Sequence, residues 1–390
     1  MSTRGEMSPR RRRTSPPPAS LPDDDDMLRE ILLRLPPLPS SLPRASLVCK
    51  CWRSLVADPR FQRRFRDHHG KPPLLGFFVG RHRSFSFVPT LDRPDRIPEA
   101  RFTMPLHEDD SKLDCRHGLV LFLSQRPLRR LVLWDPVARE QRRLILPPEL
   151  DNGQMLIFNG AVLRPTRGQG CRSSHFQVAL IARDRLRTRV SVCLYSSETG
   201  VWSNINSLKL QLIGTMKRTT TLIGNSFSWL LELHHQHVIV EFDLDNQSLA
   251  VTEVPAPVEP DCRNLWIMPA EDGGLGLIHI SQFHGRLWKR KPDSDGSAVW
   301  VLHRAIDFEV LRSTFEGDSP TLVGVAKESK AIIVVTTCGV FMVYLQSMEF
   351  KKLSDDRSFC LHYPFACFYP AVVGTAIVDG HGGDEVLKNI

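Results

Sequence analysis

No apolar run in this 390-residue sequence is long enough to cross a membrane. The longest, GVFMVYL from Gly339, has strand length, whereas a helical span needs about 18 apolar residues or more. Paired cysteines are missing as well. The nine cysteines are odd in number, scattered and free of any C-x-x-C spacing, which favours a reducing compartment over a disulfide framework. The first twenty residues carry arginines but no apolar core, so they do not read as a secretory leader, and the expected compartment is cytoplasm or nucleus. A strong charge field is also lacking. Half of the formal +8 lies in residues 1–20, where five arginines face the single acid Glu6, and the remaining +4 is spread over the rest of the chain. No basic stripe is interleaved with aromatics as single-strand binders require, so neither nucleic acid nor membrane is an expected partner. The Arg10 to Arg13 run reads either as a nuclear-import signal or as part of a solvated arm.

What is present falls into four zones. Residues 1–20, rich in Pro, Ser and Arg, form an arm too polar to fold. Residues 21–69 have helical periodicity, 72–378 have strand periodicity, and 379–390 read as a loose terminus. In the helical zone, LPDDDDMLREILLRLPPLP places acids where a helix begins, with Leu28, Ile31, Leu32 and Leu35 at offsets of zero, three, four and seven. Pro36 and Pro37 end that helix. A second helix is expected over SSLPRASLVCKCWRSLVADP, where Ala45, Val48, Cys49, Trp52, Leu55 and Val56 make one stripe. RFQRRFRDHH continues as a short third helix with Phe61 and Phe65 four apart. So small a unit has too little interior to bury two apolar stripes, and part of that surface is expected to await a partner.

The long zone repeats in form. LRRLVLWDPVAREQRRLILPP (128–148) is a strand, an Asp-Pro turn and a strand. The plan recurs at 190–205, 237–255, 286–304 and 339–354, and a further strand pair precedes most of these hairpins. Outer strands alternate, as in Val238, Val240, Phe242, while inner ones such as Ile332 to Val335 are apolar throughout. Fully buried inner strands and half-buried outer ones suit radially packed four-stranded sheets. A recurrence of roughly 50–60 residues is near the kelch-like end of the propeller range. The expected fold is a small all-α N-terminal unit of three short helices followed by an all-β domain, a β-propeller of six or seven blades, with a β-sandwich pair as the alternative. The blade count turns on whether Gly76 to His107 is a whole blade or is completed by residues 360–378.

Catalytic patterns are incomplete. Gly224-Asn225-Ser226-Phe227-Ser228 falls short of a nucleophile elbow, because it ends in Ser and lies among strands. RGQGCRSS (167–174) lacks the Gly-Lys-Ser/Thr ending of a phosphate loop. His234, His235 and His237 have no Cys or carboxylate cluster to complete a metal site. Asp109-Asp110 and Glu271-Asp272 read as exposed turn acids. No cofactor, metal or catalytic residue is expected. Loops 107–114, 151–155, 165–174 and 257–264 are generic candidates for target contact.

Leu21-Pro22, Glu30-Ile31-Leu32, Arg34-Leu35-Pro36, Leu47-Val48-Cys49-Lys50, Trp52-Arg53 and Leu55 occur in an order that resembles the F-box motif. The match covers about 45 residues. The remainder, notably CRHGLVLFL and LVLWDPVAREQRRLILPP, looks like the F-box-associated propellers common in plants. The Asp23 to Asp26 run adds about two residues between Leu-Pro and the first helix, and Met27 stands where Leu is commoner. The resemblance implies docking on a Skp-family adaptor, and through it on cullin and RING subunits, with Leu21, Pro22, Ile31, Leu35, Val48, Cys49 and Trp52 facing or bracing the adaptor. It implies a non-catalytic receptor that brings a target protein to ubiquitin transfer. Two other classes are an adaptor-bound scaffold acting outside a ligase and a propeller hydrolase carrying a helical appendage.

Overall fold

The computed structural model describes residues 24–369, apart from 82–83, 103, 106–109, 126–127, 165–174, 213–219, 234–235, 256–263, 293–297, 314, 316, 318, 328 and 358–359. The described chain divides into a helical unit ending at Gly70 and a β unit, Lys71–Tyr369.

Four helices build the first unit: α1 (Asp24–Leu33), α2 (Ser41–Ser46), α3 (Lys50–Ala57) and α4 (Pro59–His69). The expected second helix is thus two. It breaks at Leu47 to Cys49, where Cys49 has extended backbone and its sulfur accepts from the Trp52 N–H, capping α3. Asp58 caps α4 by accepting from the Arg60 N–H at 2.9 Å, with Pro59 at the first helical position, where its missing N–H costs nothing. Leu32, Leu33, Leu42, Leu55, Val56, Phe61 and Phe65 fill the interior. The stripe therefore splits. Leu55 and Val56 are buried, but Val48 is 63% exposed.

The β unit is a six-bladed propeller. Five blades are runs of consecutive strands, paired in order: 111–144, 155–209, 220–253, 265–307 and 321–354. The blade at 155–209 holds a fifth strand, Asn206–Lys209, beside its third. The first blade is assembled from both ends of the unit. His362–Ala366 pairs antiparallel with Leu74–Arg81, which pairs with Ser84–Pro89 and then Met104–Pro105. The strands between Leu74 and Pro105 are therefore part of a blade completed by His362–Ala366, and the count is six.

Patterning explains the layers. The second strand of a blade, Leu119–Ser124 or Ala331–Thr336, is buried at every position. The fourth, Glu140–Leu144, is exposed at all but its last residue. Apolar clusters lie between every neighbouring pair of blades, so each sheet is held on both faces by the next. The hairpin turns repeat one device. Asp135 accepts from the Val137 and Ala138 N–H groups, and Asp243 from those of Asp245 and Asn246. Four residues on, Arg139 and Gln247 adopt positive φ, as do Gly200 and Met348 in the equivalent turns. That left-handed residue turns the chain back into the outer strand.

Polar contacts tie blade to blade. In the blade at 111–144, Asp114 forms an ion pair with Arg116 at 2.6 Å and accepts from its Nη2 at 3.0 Å and from the Val162 N–H of the next blade at 2.9 Å. Arg116 also donates to the Thr220 carbonyl one blade further on, at 2.8 Å. Thr220 Oγ1 donates to the Gly160 carbonyl of the preceding blade at 3.1 Å and accepts from Trp229 Nε1 of its own blade at 2.9 Å. Thr221 donates to the Ile267 carbonyl. Asn264 donates to the Pro320 carbonyl and accepts from the Leu322 N–H. Next to the closing strand, a Cβ at Gly324 would stand 2.6 Å from the His362 carbonyl oxygen, so only glycine permits that approach.

Candidate partner-docking surface

Among its described residues, the helical unit leaves four large apolar side chains in solvent: Met27 (52%), Ile31 (54%), Leu47 (75%) and Val48 (63%). Met27 and Ile31 are four apart on α1 and share one face. Leu47 and Val48 sit in the break before α3, held there by short-range bonds. The Leu47 N–H donates to the Arg44 carbonyl, and the Val48 N–H to that of Ala45. Cys51 Sγ donates to Asp25 Oδ1 at 3.4 Å, bringing the start of α3 beside the start of α1. Arg64 pairs with Glu30 at 2.9 Å, tying α4 to α1. This geometry presents apolar groups from two elements, which suits docking of a partner helix or groove.

The sequence-predicted residues fall at several depths. Ile31, Val48 and Cys49 are exposed, while Leu35 and Trp52 are half-buried and also pack the unit itself. Leu21 and Pro22 lie outside the described residues. Leu47 was missed as an exposed group, because a stripe read as one helix assigns it no special place. No local signal marked it, since cysteine is not among the usual helix caps.

Thiol chemistry offers a direct check on these depths. Burial pushes the Cys193 thiol up to about 12, whereas Cys49 and Cys51 are exposed. The hydrogen bond to Asp25 raises the Cys51 pKa. Since the thiolate is the nucleophile, iodoacetamide at pH 8 is expected to modify Cys49 first, Cys51 more slowly and Cys193 not at all on that timescale, as read by peptide mass spectrometry. Early labelling of Cys193 would show that the propeller opens.

The residues weighed for catalysis fall as follows. Ser226 and Ser228 lie in the strand Ser226–Leu233, and Ser228 is buried. His237 lies in the strand Gln236–Asp243, while His234, His235 and the 167–174 loop are outside the described residues. Among the described residues, no group of three or more His, Cys, Asp or Glu is placed to hold a metal ion. The acids read as plain turn residues have partners: Asp110 accepts from the Gln125 N–H, Glu271 faces His303 at 3.1 Å, and Asp272 faces Lys289 at 3.8 Å. A groove of 590 Å³ between the second and third blades is lined by Ile145, Pro147, Tyr195 and Trp202, with Glu149 its one carboxylate. Of the four loops named as target contacts, 151–155 lies in the connection from the second blade to the third, and 110–114 runs into the first strand of the second blade; 107–109, 165–174 and 257–263 lie outside the described residues. No described helix is long and apolar enough to cross a membrane.

An N-terminal helical module with uncovered apolar groups, joined to a six-bladed propeller, defines the class: an F-box protein with a C-terminal β-propeller. The chain belongs to the family described as F-box protein AT5G49610-like, beta-propeller, whose model matches residues 112–372, and the F-box domain model matches residues 19–64. F-box/kelch-repeat protein At3g23880 of Arabidopsis thaliana is 23% identical over 253 residues, 60% of this chain and 65% of that protein. F-box/kelch-repeat protein At3g61590 of the same plant is 25% identical over 192 residues, covering 46% and 44%. The chain thus spans about half to two thirds of these relatives. Among solved structures, the Dos1 propeller aligns with 11% identity over 73% of this chain and 68% of that one, at a TM-score of 0.37.

Proposed function

We propose that this chain is the substrate-recognition subunit of a Skp–cullin–F-box ubiquitin ligase. Its helical unit docks on a Skp-family adaptor, and its propeller holds the target protein. The single observation supporting this is the exposure of Met27, Ile31, Leu47 and Val48 on a unit whose other large apolar side chains are mostly tucked inside. Water-exposed apolar groups gathered on two elements gain free energy only when another surface covers them. The same reading assigns adaptor contact to Leu21, Pro22, Leu35, Cys49 and Trp52, of which Cys49 is exposed and Leu35 and Trp52 are half-buried. The chain supplies no reacting group. It accelerates transfer by tethering, which raises the effective concentration of target near the charged ubiquitin carrier.

Ile31→Asp with Val48→Asp tests this without disturbing the core, since both side chains are already exposed. Each places an unpaired carboxylate in an apolar interface, where a central residue contributes about 2 kcal/mol or more. Affinity for the adaptor, read by calorimetry, is expected to fall at least about 30-fold, with circular dichroism unchanged. Wild-type affinity in the double variant would overturn the interface. Co-purification of cullin with the wild-type chain separates a ligase from an adaptor-bound scaffold.

A further inference from the structure

The formal charge of the β unit is far from even. Residues 126–189 hold thirteen arginines and no lysine against five acids, so this stretch alone carries +8. The even spread expected from bulk composition does not hold locally.

Strand order divides that charge: Arg129, Arg130, Arg183, Arg185, Arg187 and Arg189 stand toward one face with Glu149, Asp151 and Asp184, a net +3 there, and Asp151 lies 3.8 Å from Arg129. In a four-stranded antiparallel blade, the turn between second and third strands shares a face with the connection to the next blade. On that face lie the turn holding Leu128 and Arg129, the connection at 145–154, and the hairpin tip Arg183 to Arg189. The three are bonded together. Arg129 Nη1 donates to the Leu150 carbonyl at 2.8 Å, and Arg185 Nε to the Gly153 carbonyl at 2.7 Å. The Arg185 N–H donates to the Gln154 carbonyl.

Like charges are crowded there. Arg189 stands directly opposite Lys209, a pairing that is destabilising in a sheet. Burial, and after it the nearby Arg187, lower the Arg183 pKa. Asp184 turns its oxygens onto the Thr188 N–H, the Thr188 hydroxyl and the Arg189 N–H, holding the tip's shape. Interleaved with the arginines are exposed leucines: Leu186 at 82%, Leu128 at 66% and Leu156 at 46%. Residues 128–130 and 183–189 contain no aromatic side chain, so base stacking has no platform.

We propose that this rim of the second and third blades, centred on Arg183, Arg185, Leu186 and Arg187, receives an acidic, leucine-containing segment of a partner protein. The inference rests on the target-binding role given to the propeller and names its contact surface and chemistry. Arginine forks match carboxylates, and the leucines provide the apolar anchors that a purely ionic contact lacks.

The test uses the full chain and a fluorescein-labelled twelve-residue peptide of alternating Glu-Leu pairs, titrated by anisotropy at 50 and 200 mM salt. Wild type is expected to bind it at least five-fold more tightly than a Glu-Ser peptide of equal charge, and more tightly than a labelled oligothymidylate or vesicles of anionic phospholipid. Arg183→Glu/Arg185→Glu/Arg187→Glu is expected to weaken peptide binding at least ten-fold and to flatten the salt dependence. Leu186→Ser is expected to remove the preference over Glu-Ser. A neutral variant, Arg183→Gln/Arg185→Gln/Arg187→Gln, gives an intermediate loss and guards against misfolding, with the thermal midpoint checked for all. Affinity within two-fold of wild type in the Glu variant, or tighter binding of oligothymidylate or vesicles, overturns the proposal. Adaptor binding is measured in parallel. It stays unchanged in these variants, and its absence in wild type would instead defeat the ligase reading.

Discussion

Asp114→Ala is expected to destabilise the propeller by about 3–5 kcal/mol, the range for removing one partner of a buried ion pair. Asp114 is 6% exposed and accepts from both the Arg116 guanidinium and the Val162 backbone N–H. Alanine leaves the guanidinium, 14% exposed, without its counter-ion, and leaves a backbone donor of the next blade unpaired. Both costs fall on the same place, the joint between the second and third blades. Arg116 also holds the Thr220 carbonyl, so the loss reaches the fourth blade. Urea unfolding followed by the propeller tryptophans gives the measurement. Asp114→Asn keeps an acceptor and is expected to lose clearly less. A loss below about 1 kcal/mol in the alanine variant would show that the network is not a structural joint.

The second large effect is expected at Phe365→Ala. Phe365 is fully buried, with its ring centroid 5.1 Å from that of Phe78, 5.5 Å from Phe102 and 6.1 Å from Phe87. Truncating a buried phenylalanine costs about 3–5 kcal/mol through lost transfer energy and the cavity left behind. Here the site adds a consequence. Phe365 anchors the strand that completes the first blade, so its loss loosens ring closure before the rest. Amide exchange is expected to speed up first at Leu74–Arg81 and His362–Ala366, ahead of the strands at 155–209. Uniform acceleration across all blades would instead indicate a merely global loss of stability. Phe365→Leu, which refills part of the volume, is expected to retain most of the protection.

The sequence made the hairpins plain because their turns are chemical. Asp135 and Asp243 end a strand with an acceptor for the next N–H groups, and alternating residues follow on the solvent side. The break in the helical stripe was not legible. Ala45, Val48, Cys49 and Trp52 fit helical spacing, and cysteine is not among the residues that usually announce a cap. Periodicity reports which residues could share a face and says nothing of whether the backbone stays helical between them. Exposure followed the same limit. Val48 and Leu55 lie on one periodic stripe, yet only Leu55 is covered, because Val48 falls in the break between α2 and α3 while Leu55 lies within α3. Blade number depended on a pairing between residues nearly three hundred positions apart, which no local pattern carries. The net charge carries no such detail either: a total averages over the chain, while the fold brings Arg129, Arg183, Arg185 and Arg187 to one face.

Ring closure by His362–Ala366 also sets an order of birth. A ribosome releases the chain from its N-terminus, so the helical unit emerges finished while the first sheet still waits for its innermost strand. Until those last residues appear, the nascent disc has an unzipped seam along Leu74–Arg81, a bare edge of the kind that recruits stray strands. Under the function proposed above, an adaptor bound to the helical unit at that stage would hold a chain whose propeller is still open.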